Sequence, residues 1–189
     1  MSNNQEKLYY FYILWLLFFL FFSNQHYSYD EIIAINQTDS HSYMAIAISA
    51  PDYSSEILPY HKAQRFFVPY LVGILSKLLN VNILYIFKIL NIITMLSIIF
   101  LHCRIIEKFK LNSSSSIIFI SALILNPYLF RYSIAVPTMI NDLVFVLSIY
   151  LFLYAIVINK NTSIYPVFLS LISRQNGMFI FLANIIYNF

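Results

Sequence analysis

The fold depends first on residues 66–101, which read FFVPYLVGILSKLLNVNILYIFKILNIITMLSIIFL. The strongest interruptions of this apolar stretch are five polar or charged residues: Lys77, Asn80, Asn82, Lys88 and Asn91. One membrane-spanning helix takes roughly 17–25 apolar residues, so the stretch is too long for a single span. It predicts a helical membrane protein and leaves open how the stretch is divided.

The stretch divides in two ways. In the first, two spans join through a tight turn at 80–82, which puts the basic segment 102–110 outside. In the second, which we prefer, residues 62–79 form an interfacial or re-entrant helix and 82–101 form one span. The second division keeps the basic segment on the cytoplasmic side, as the positive-inside rule favours.

The composition supports the membrane class. Of the 189 residues, 60% are hydrophobic and 10% are charged, whereas about a quarter of the residues of a soluble domain are charged. The formal net charge is +3, and the scattered basic residues do not form the stripe that nucleic-acid binding needs. Cys103 is the single cysteine, which excludes an intrachain disulfide and a cysteine metal site.

Further apolar runs predict an all-α, polytopic membrane protein with about five or six transmembrane helices in one domain, 1–189. Residues 8–22 form the first span. A cleaved signal peptide is the alternative, but the residues after this run lack an A-x-A-like cleavage site. The chain ends within an apolar run, so we expect a truncated portion or a small relative of a longer architecture. Later spans are expected at 116–132, 137–159 and 163–189.

Residues 23–65 form the one long polar segment, and we expect an outer loop that holds short interfacial helices. One such helix is predicted at 43–50, ended by Pro51. Because cytoplasmic loops carry the excess of Lys and Arg, the N-terminus is expected in the cytoplasm and the loop outside.

Charged residues in apolar surroundings are the candidate functional residues, because placing them in a membrane is costly. On the preferred topology they fall in the outer half of the protein or above it: Asp39, His61, Arg65, Lys88, Arg131, Asp142 and Arg174. Lys88 and Asp142 are predicted at nearly equal depth, so we expect them to pair. The alternative is that Lys88 extends to the interface while Asp142 caps its helix.

The remaining charged residues have simpler alternatives. His61 and Arg65 are four residues apart, so they are predicted to share one helix face. Interface anchoring is the alternative role for both, and for Arg131 at the end of its span. Asp30 and Glu31 are adjacent after the first span but show no ligand framework, so the residues themselves assign no metal.

Several short motifs occur in an order that resembles a known family. DSHSYMAIA at 39–47 follows the first span within the acidic loop, and RFFVPYL at 65–71 leads into an amphipathic helix. The later elements are Arg131 ahead of Pro137, then Asp142, then SRQNG at 173–177. The pattern resembles the N-terminal part of the C-type-fold integral-membrane glycosyltransferases, which use polyprenyl-phosphate sugars.

The resemblance implies a catalytic carboxylate in the outer loop: Asp39, with Asp30 and Glu31 as substitutes. This group would deprotonate the acceptor hydroxyl as the sugar leaves its lipid phosphate. Cationic side chains would hold the phosphate through charge-assisted hydrogen bonds, and the candidates are His61, Arg65, Arg131 and Arg174. An incomplete or inactive relative is the alternative, since family members are usually several hundred residues long.

The resemblance also implies the surroundings of the protein. Its partners would be the lipid bilayer and a polyprenyl-phosphate sugar donor, and its location the bacterial inner (plasma) membrane. No cofactor is certain, and participation of a divalent metal stays open.

A non-catalytic role is the competing hypothesis: a membrane subunit, a flippase-like protein or a transporter fragment. Lys88, Asp142 and Arg174 would then line a polar path between helices. Transporters usually show broken helices in paired repeats. No such pairing is evident in the sequence, which favours the enzyme.

Reporter fusions at Asp52 and Ser115 test the topology. We expect the Asp52 fusion to report an outer location and the Ser115 fusion a cytoplasmic one, because basic segments stay inside. A paired alkaline phosphatase and green fluorescent protein assay measures both. An external Ser115 would invert the arrangement and remove the argument that the charged residues gather on the outer side.

Overall fold

The computed structural model describes residues 3–34, 39–55, 57–110, 112–158 and 164–188. This part of the chain is helical and contains no β-strand, which confirms the predicted all-α class. A 3-10 turn, Pro137–Met139, precedes the ninth helix. The helices are α1 (Asn3–Phe22), α2 (Tyr29–Ala34), α3 (Asp39–Ser49), α4 (Tyr60–Ala63), α5 (Phe67–Leu79), α6 (Ile83–Phe109), α7 (Ser113–Ile124), α8 (Phe130–Ala135), α9 (Ile140–Val157), α10 (Ile164–Ser173) and α11 (Gly177–Asn188).

Two of the described helical stretches are long and apolar enough to cross a membrane. They are Ile83–Phe109, with 27 residues, and Pro137–Val157, with 21 residues. The other apolar helices have 10–17 residues in the part searched. A count of five or six spans therefore stays a prediction.

The long helices α6 and α9 lie side by side and run in the same direction. Asn91 Nδ2 donates to the Pro137 carbonyl at 2.7 Å, and His102 Nδ1 lies 3.0 Å from the Tyr150 hydroxyl. We call the end at which both helices begin the upper end. Apolar side chains of five helices form a core below it, among them Leu16, Leu20, Ile98, Ile120, Phe130 and Leu143.

Helix α6 begins where the sequence predicts and ends later. The Asn82 side chain accepts a hydrogen bond from the Leu84 amide at 2.8 Å, which caps the first turn. The predicted span 82–101 was too short, because the helix continues to Phe109. An ion pair between Arg104 and Glu107, at 3.1 Å, links neighbouring positions in this extension.

The predicted span 116–132 is wrong as one continuous helix. Helix α7 ends at Ile124, and the short helix α8 begins six residues later at Phe130. Pro127 disfavours the helical conformation at Asn126 and supplies no amide donor, so the helix cannot pass through. Asn126 instead accepts from the Tyr128 amide at 2.9 Å within the intervening turn.

The predicted span 163–189 is also two helices, α10 and α11, which fold back on one another. Val167 and Ile180 both pack against Phe152 of α9, which requires an antiparallel pair. Gly177 starts α11 so close to α10 that an added Cβ would overlap the Ser170 backbone. The hairpin tip, residues 174–176, therefore lies toward the upper end.

The segment predicted as an outer loop holds a substantial buried helix, α3. It begins four residues earlier than the predicted helix 43–50 and ends before Pro51. Tyr43, Met44 and Ala47 are almost fully buried. Helix α3 packs on α5 and on the 3-10 turn, so this segment forms a layer on the upper part of the molecule.

The helix predicted at 62–79 begins later, at Phe67, and α4 is a separate single turn. Pro69 accounts for the late start, because proline is tolerated in the first turn and breaks a helix interior. Helix α5 packs against the first half of α6 through Val68, Val72 and Phe87. It ends at Leu79, and Asn80 adopts a left-handed conformation with φ of 52° at the boundary where both predicted divisions interrupt the apolar stretch.

Replacement of Gly73 tests the close packing of α5 on α3. A Cβ there would overlap the Ala47 carbonyl oxygen and approach Ala50 Cβ within 2.7 Å. We expect Gly73→Ala to destabilise the protein by about 1–3 kcal/mol, the usual cost of overpacking, measured by thermal unfolding in detergent. Leu78→Ala on the same helix is the control, since Leu78 is 75% exposed; equal stability of both variants would contradict the packing.

Candidate charged site

One face of α3 presents two polar side chains to Arg65. Asp39 and Tyr43 are four residues apart, so both point the same way from the helix. Asp39 Oδ2 lies 3.7 Å from Arg65 Nη1, and the same nitrogen donates to the Tyr43 hydroxyl at 3.3 Å. Asp39 stands at the first position of α3, where the helix dipole favours a carboxylate.

The backbone of Arg65 is fixed by a second contact. Pro69 has no amide proton, so it cannot donate to the carbonyl four residues before it, which is that of Arg65. The Asn141 side chain of α9 instead donates a hydrogen bond from Nδ2 to this carbonyl oxygen, at 3.2 Å. The start of α5 is thereby tied to the start of α9.

The hairpin tip supplies the second ion pair. Arg174 Nε lies 2.9 Å from Asp142 Oδ1, and its guanidinium carbon lies 6.0 Å from the Phe145 ring centroid. Both side chains are partly buried, with exposed fractions of 32% for Arg174 and 22% for Asp142. The next residue at the tip, Gln175, donates its side-chain amide to Gln64, beside Arg65.

The two ion pairs form one charge cluster: Asp39, Arg65, Asp142 and Arg174. Asp142 acts electrostatically on Arg65 as well as on Arg174. Burial of Arg65 acts to lower its pKa, but Tyr43, Asp39 and Asp142 together outweigh burial and raise the pKa above its ordinary value. Burial raises the pKa of the Tyr43 hydroxyl, and Arg65 opposes that rise. Arg65 therefore stays cationic and Tyr43 stays protonated at neutral pH.

Several buried atoms of this cluster lack a hydrogen-bond partner among the described residues. They are the donor Arg65 Nε and the acceptor Asn141 Oδ1. The close approach of Arg174 Nε to Asp142 Oδ1 lacks hydrogen-bond geometry, so it counts as an ion pair alone. Buried donors and acceptors without partners are uncommon and costly. Within the described residues, this donor and this acceptor are therefore enclosed by protein without a hydrogen-bond partner.

A cleft of about 440 Å³ lies beside the cluster. Ser40, the neighbour of Asp39, lines it, and its hydroxyl lies 2.7 Å from that of Thr138. Tyr132 lines the same cleft and is close enough to Asp39 and Asp142 to interact with both electrostatically. None of the four charged residues of the cluster lines this cleft.

The structure brings four of the predicted residues together and separates the rest. The expected pair of Lys88 and Asp142 is replaced by Arg174 and Asp142. The physical reason for this change of partner is helix register: Asn91 is level with Pro137, so Asp142 lies about 12 Å deeper than Lys88 at 1.5 Å per residue. Lys88 instead has its Nζ 5.9 Å from the Tyr85 ring centroid.

The other candidates lie outside the cluster. His61 is exposed on α4, and because α4 ends at Ala63 it does not share a helix with Arg65. Arg131 is exposed and lines the 440 Å³ cleft, where its carbonyl accepts from Asn24 Nδ2 at 2.6 Å.

The two acidic residues after the first helix are exposed. Glu31 has a structural role: its carboxylate accepts from the Ser28 amide at 2.7 Å, while its amide donates to the Ser28 hydroxyl at 3.3 Å. This reciprocal pattern is a capping box that starts α2, and the Ser28 amide lowers the pKa of Glu31. Asp30 precedes it in the same turn.

Sequence reasoning missed three residues of the site. Tyr43 is recognisable afterwards from its four-residue spacing to Asp39. Asn141 directly precedes Asp142, and Gln175 directly follows Arg174, but no sequence pattern predicts their partners. In the described residues, no three His, Cys, Asp or Glu side chains lie close enough together to hold a metal ion.

Comparison with protein-family models, curated proteins and solved structures gives no match. The resemblance to membrane glycosyltransferases therefore rests on the short motifs of this chain and stays a prediction.

A double-mutant cycle tests the ion pair at the hairpin tip. We expect Asp142→Asn and Arg174→Gln, alone and combined, to give a coupling energy of roughly 1–3 kcal/mol, between the values of exposed and fully buried pairs. Unfolding in detergent measures it. The matched control is Arg104 with Glu107, whose side chains are half exposed and should couple far more weakly. Equal coupling of the two pairs would contradict the assignment.

Proposed function

We propose that the chain is a polytopic membrane protein with a cytoplasmic N-terminus and its upper end outside. The two long apolar helices support membrane insertion. Large apolar side chains exposed along α1 and α6, such as Phe18, Phe22 and Phe100, favour contact with lipid rather than water. The parallel course of α6 and α9 is consistent with both helices descending from the outer side.

We further propose that the charge cluster transfers a sugar from a polyprenyl-phosphate donor. The observation that carries this proposal is the pair of partly exposed arginines, Arg65 and Arg174, each held beside a carboxylate. Guanidinium groups match the geometry of phosphate oxygens. Neighbouring carboxylates keep the arginines oriented before any ligand binds.

Asp39 is the proposed general base, because its side chain is the most exposed of the cluster at 33%. Its carboxylate takes the proton of the acceptor hydroxyl, whose oxygen forms a bond to the anomeric carbon. The bond from that carbon to the phosphate oxygen breaks, and the electron pair leaves with the lipid phosphate. Arg65 and Arg174 stabilise the phosphate charge that develops.

A non-catalytic membrane subunit or flippase-like protein is the second candidate. The Arg174–Asp142 pair favours it, because paired intramembrane charges also occur in purely structural or transport roles. The two candidates differ in the residue that matters most. Sugar transfer requires Asp39, whereas a structural or transport role requires Asp142 and tolerates loss of Asp39.

Replacement of Asp39 separates the candidates. In membranes supplied with radiolabelled polyprenyl-phosphate mannose, glucose and arabinose, we expect Asp39→Asn to lower transfer at least about 100-fold, the lower range for loss of a general base. The exposed Asp30 supplies the control, and Asp30→Asn should transfer at the wild-type rate. Wild-type transfer by Asp39→Asn, or no transfer by the folded wild-type protein from any donor, would refute the enzyme.

A further inference from the structure

A second site lies away from the charge cluster, in an apolar cleft between α1 and α6. Its volume is about 640 Å³, within the usual range for pockets that bind one ligand. Three phenylalanines of α1 form one wall and three residues of α6 the other: Phe18, Phe21, Phe22, Ile92, Met95 and Leu96. Most of these side chains are exposed by 46–70% although they are large and apolar.

The floor of the cleft is rigid. Asn91 of α6 donates its Nδ2 to two carbonyls, that of Ser133 at 3.2 Å and that of Pro137 at 2.7 Å. These bonds join α6 to α8 and to the 3-10 turn behind the cleft. The floor of the cleft is therefore built into the packing of the helices.

The upper mouth of the cleft is basic. Lys88 lines it one turn above Asn91, and His26, four residues after α1, also lines it. Among the described residues, Lys88 forms no ion pair with a carboxylate, and no acidic residue lines the cleft. Below this mouth the cleft continues for eight residues of α6, or about 12 Å, over apolar side chains.

We propose that this cleft binds one membrane phospholipid, with an acyl chain between α1 and α6 and the phosphate at Lys88. The proposal rests on the membrane insertion given under the proposed function and not on sugar transfer. An ammonium group without a carboxylate partner attracts a phosphate, and the walls exclude water from the chain. The charge at the mouth and the apolar depth together select an anionic lipid over a peptide or a soluble phosphate.

The cleft also limits which lipid fits. Its opening faces the side of α1 and α6 where the phenylalanines are exposed, so a chain can enter from the bilayer. About 12 Å of apolar depth accommodates the upper part of one acyl chain. Because the Lys88 ammonium group lies at the mouth, phosphatidylglycerol, which carries a net negative charge, should bind better than zwitterionic phosphatidylcholine.

Native mass spectrometry of the full chain released from nanodiscs tests the site. With equal phosphatidylglycerol and phosphatidylcholine, we expect the wild-type protein to retain one phosphatidylglycerol. Lys88→Met should lower retention at least fivefold, whereas Lys88→Arg should retain the lipid. Lys77→Met, which removes an exposed lysine of α5, is the matched control and should behave as wild type.

A second variant tests the cleft itself. Leu96 is 52% exposed within it, so Leu96→Trp should fill the space without entering the core and should also lower retention. Equal retention by wild type, Lys88→Met and Leu96→Trp would overturn the proposal. Displacement of phosphatidylglycerol by an equal amount of polyprenyl phosphate would overturn it as well, by assigning the cleft to the sugar donor.

The Asp39→Asn variant tests sugar transfer and lipid binding separately, because it removes the proposed general base and leaves the apolar cleft intact. A protein that retains the lipid at Lys88 but transfers no sugar would refute sugar transfer alone. A protein that transfers sugar but retains lipid regardless of residue 88 would refute the lipid site alone.

Discussion

Neutralisation of four charges in an otherwise apolar protein is the constraint on which the arrangement depends. Asp39, Arg65, Asp142 and Arg174 come from segments far apart in the chain, and each finds an opposite charge within 3.7 Å. A charge left unpaired in such surroundings is expensive. The packing of α3, the start of α5 and the direction of the α10–α11 hairpin all serve to bring these partners together.

Backbone chemistry holds the cluster in place. Pro69 has no amide proton to donate to the Arg65 carbonyl, and the Asn141 side chain donates to that carbonyl instead. This hydrogen bond connects the start of α5 to α9. The hairpin tip adds the contact of Gln175 with Gln64. Because these contacts come from backbone and amide groups, they fix the arginines without using their charges. An anion that binds there would meet donors already oriented, which lowers the entropy cost of binding.

Much of this could be predicted from the sequence, because local rules decide it. The α class, a helix boundary at 80–82 and a helix ending before Pro51 follow from composition and from the residues that start and stop helices. The energetic cost of charged groups in apolar surroundings is what predicted functional roles for Asp39, Arg65, Asp142 and Arg174.

Register and chain reversal could not be predicted in this way. Depth counted along each helix placed Lys88 level with Asp142, but the offset between α6 and α9 is set by side-chain packing and the Asn91 contacts. The run 163–189 has the composition of one span, and its reversal depends on a close approach at Gly177 that composition does not encode. The sequence therefore does not predict which residue pairs with Arg174.

Disulfide trapping between residues 64 and 175 tests the central claim, that the hairpin tip docks on the segment carrying Arg65. Gln64→Cys and Gln175→Cys are combined in a Cys103→Ser background and oxidised in native membranes. The account predicts a rapid intramolecular cross-link, seen as a shift in electrophoretic mobility that a reductant reverses. Gln64→Cys with Ser115→Cys, at opposite ends of the molecule, should give none. Failure of the first pair to cross-link, in protein that is inserted and folded, would contradict the account.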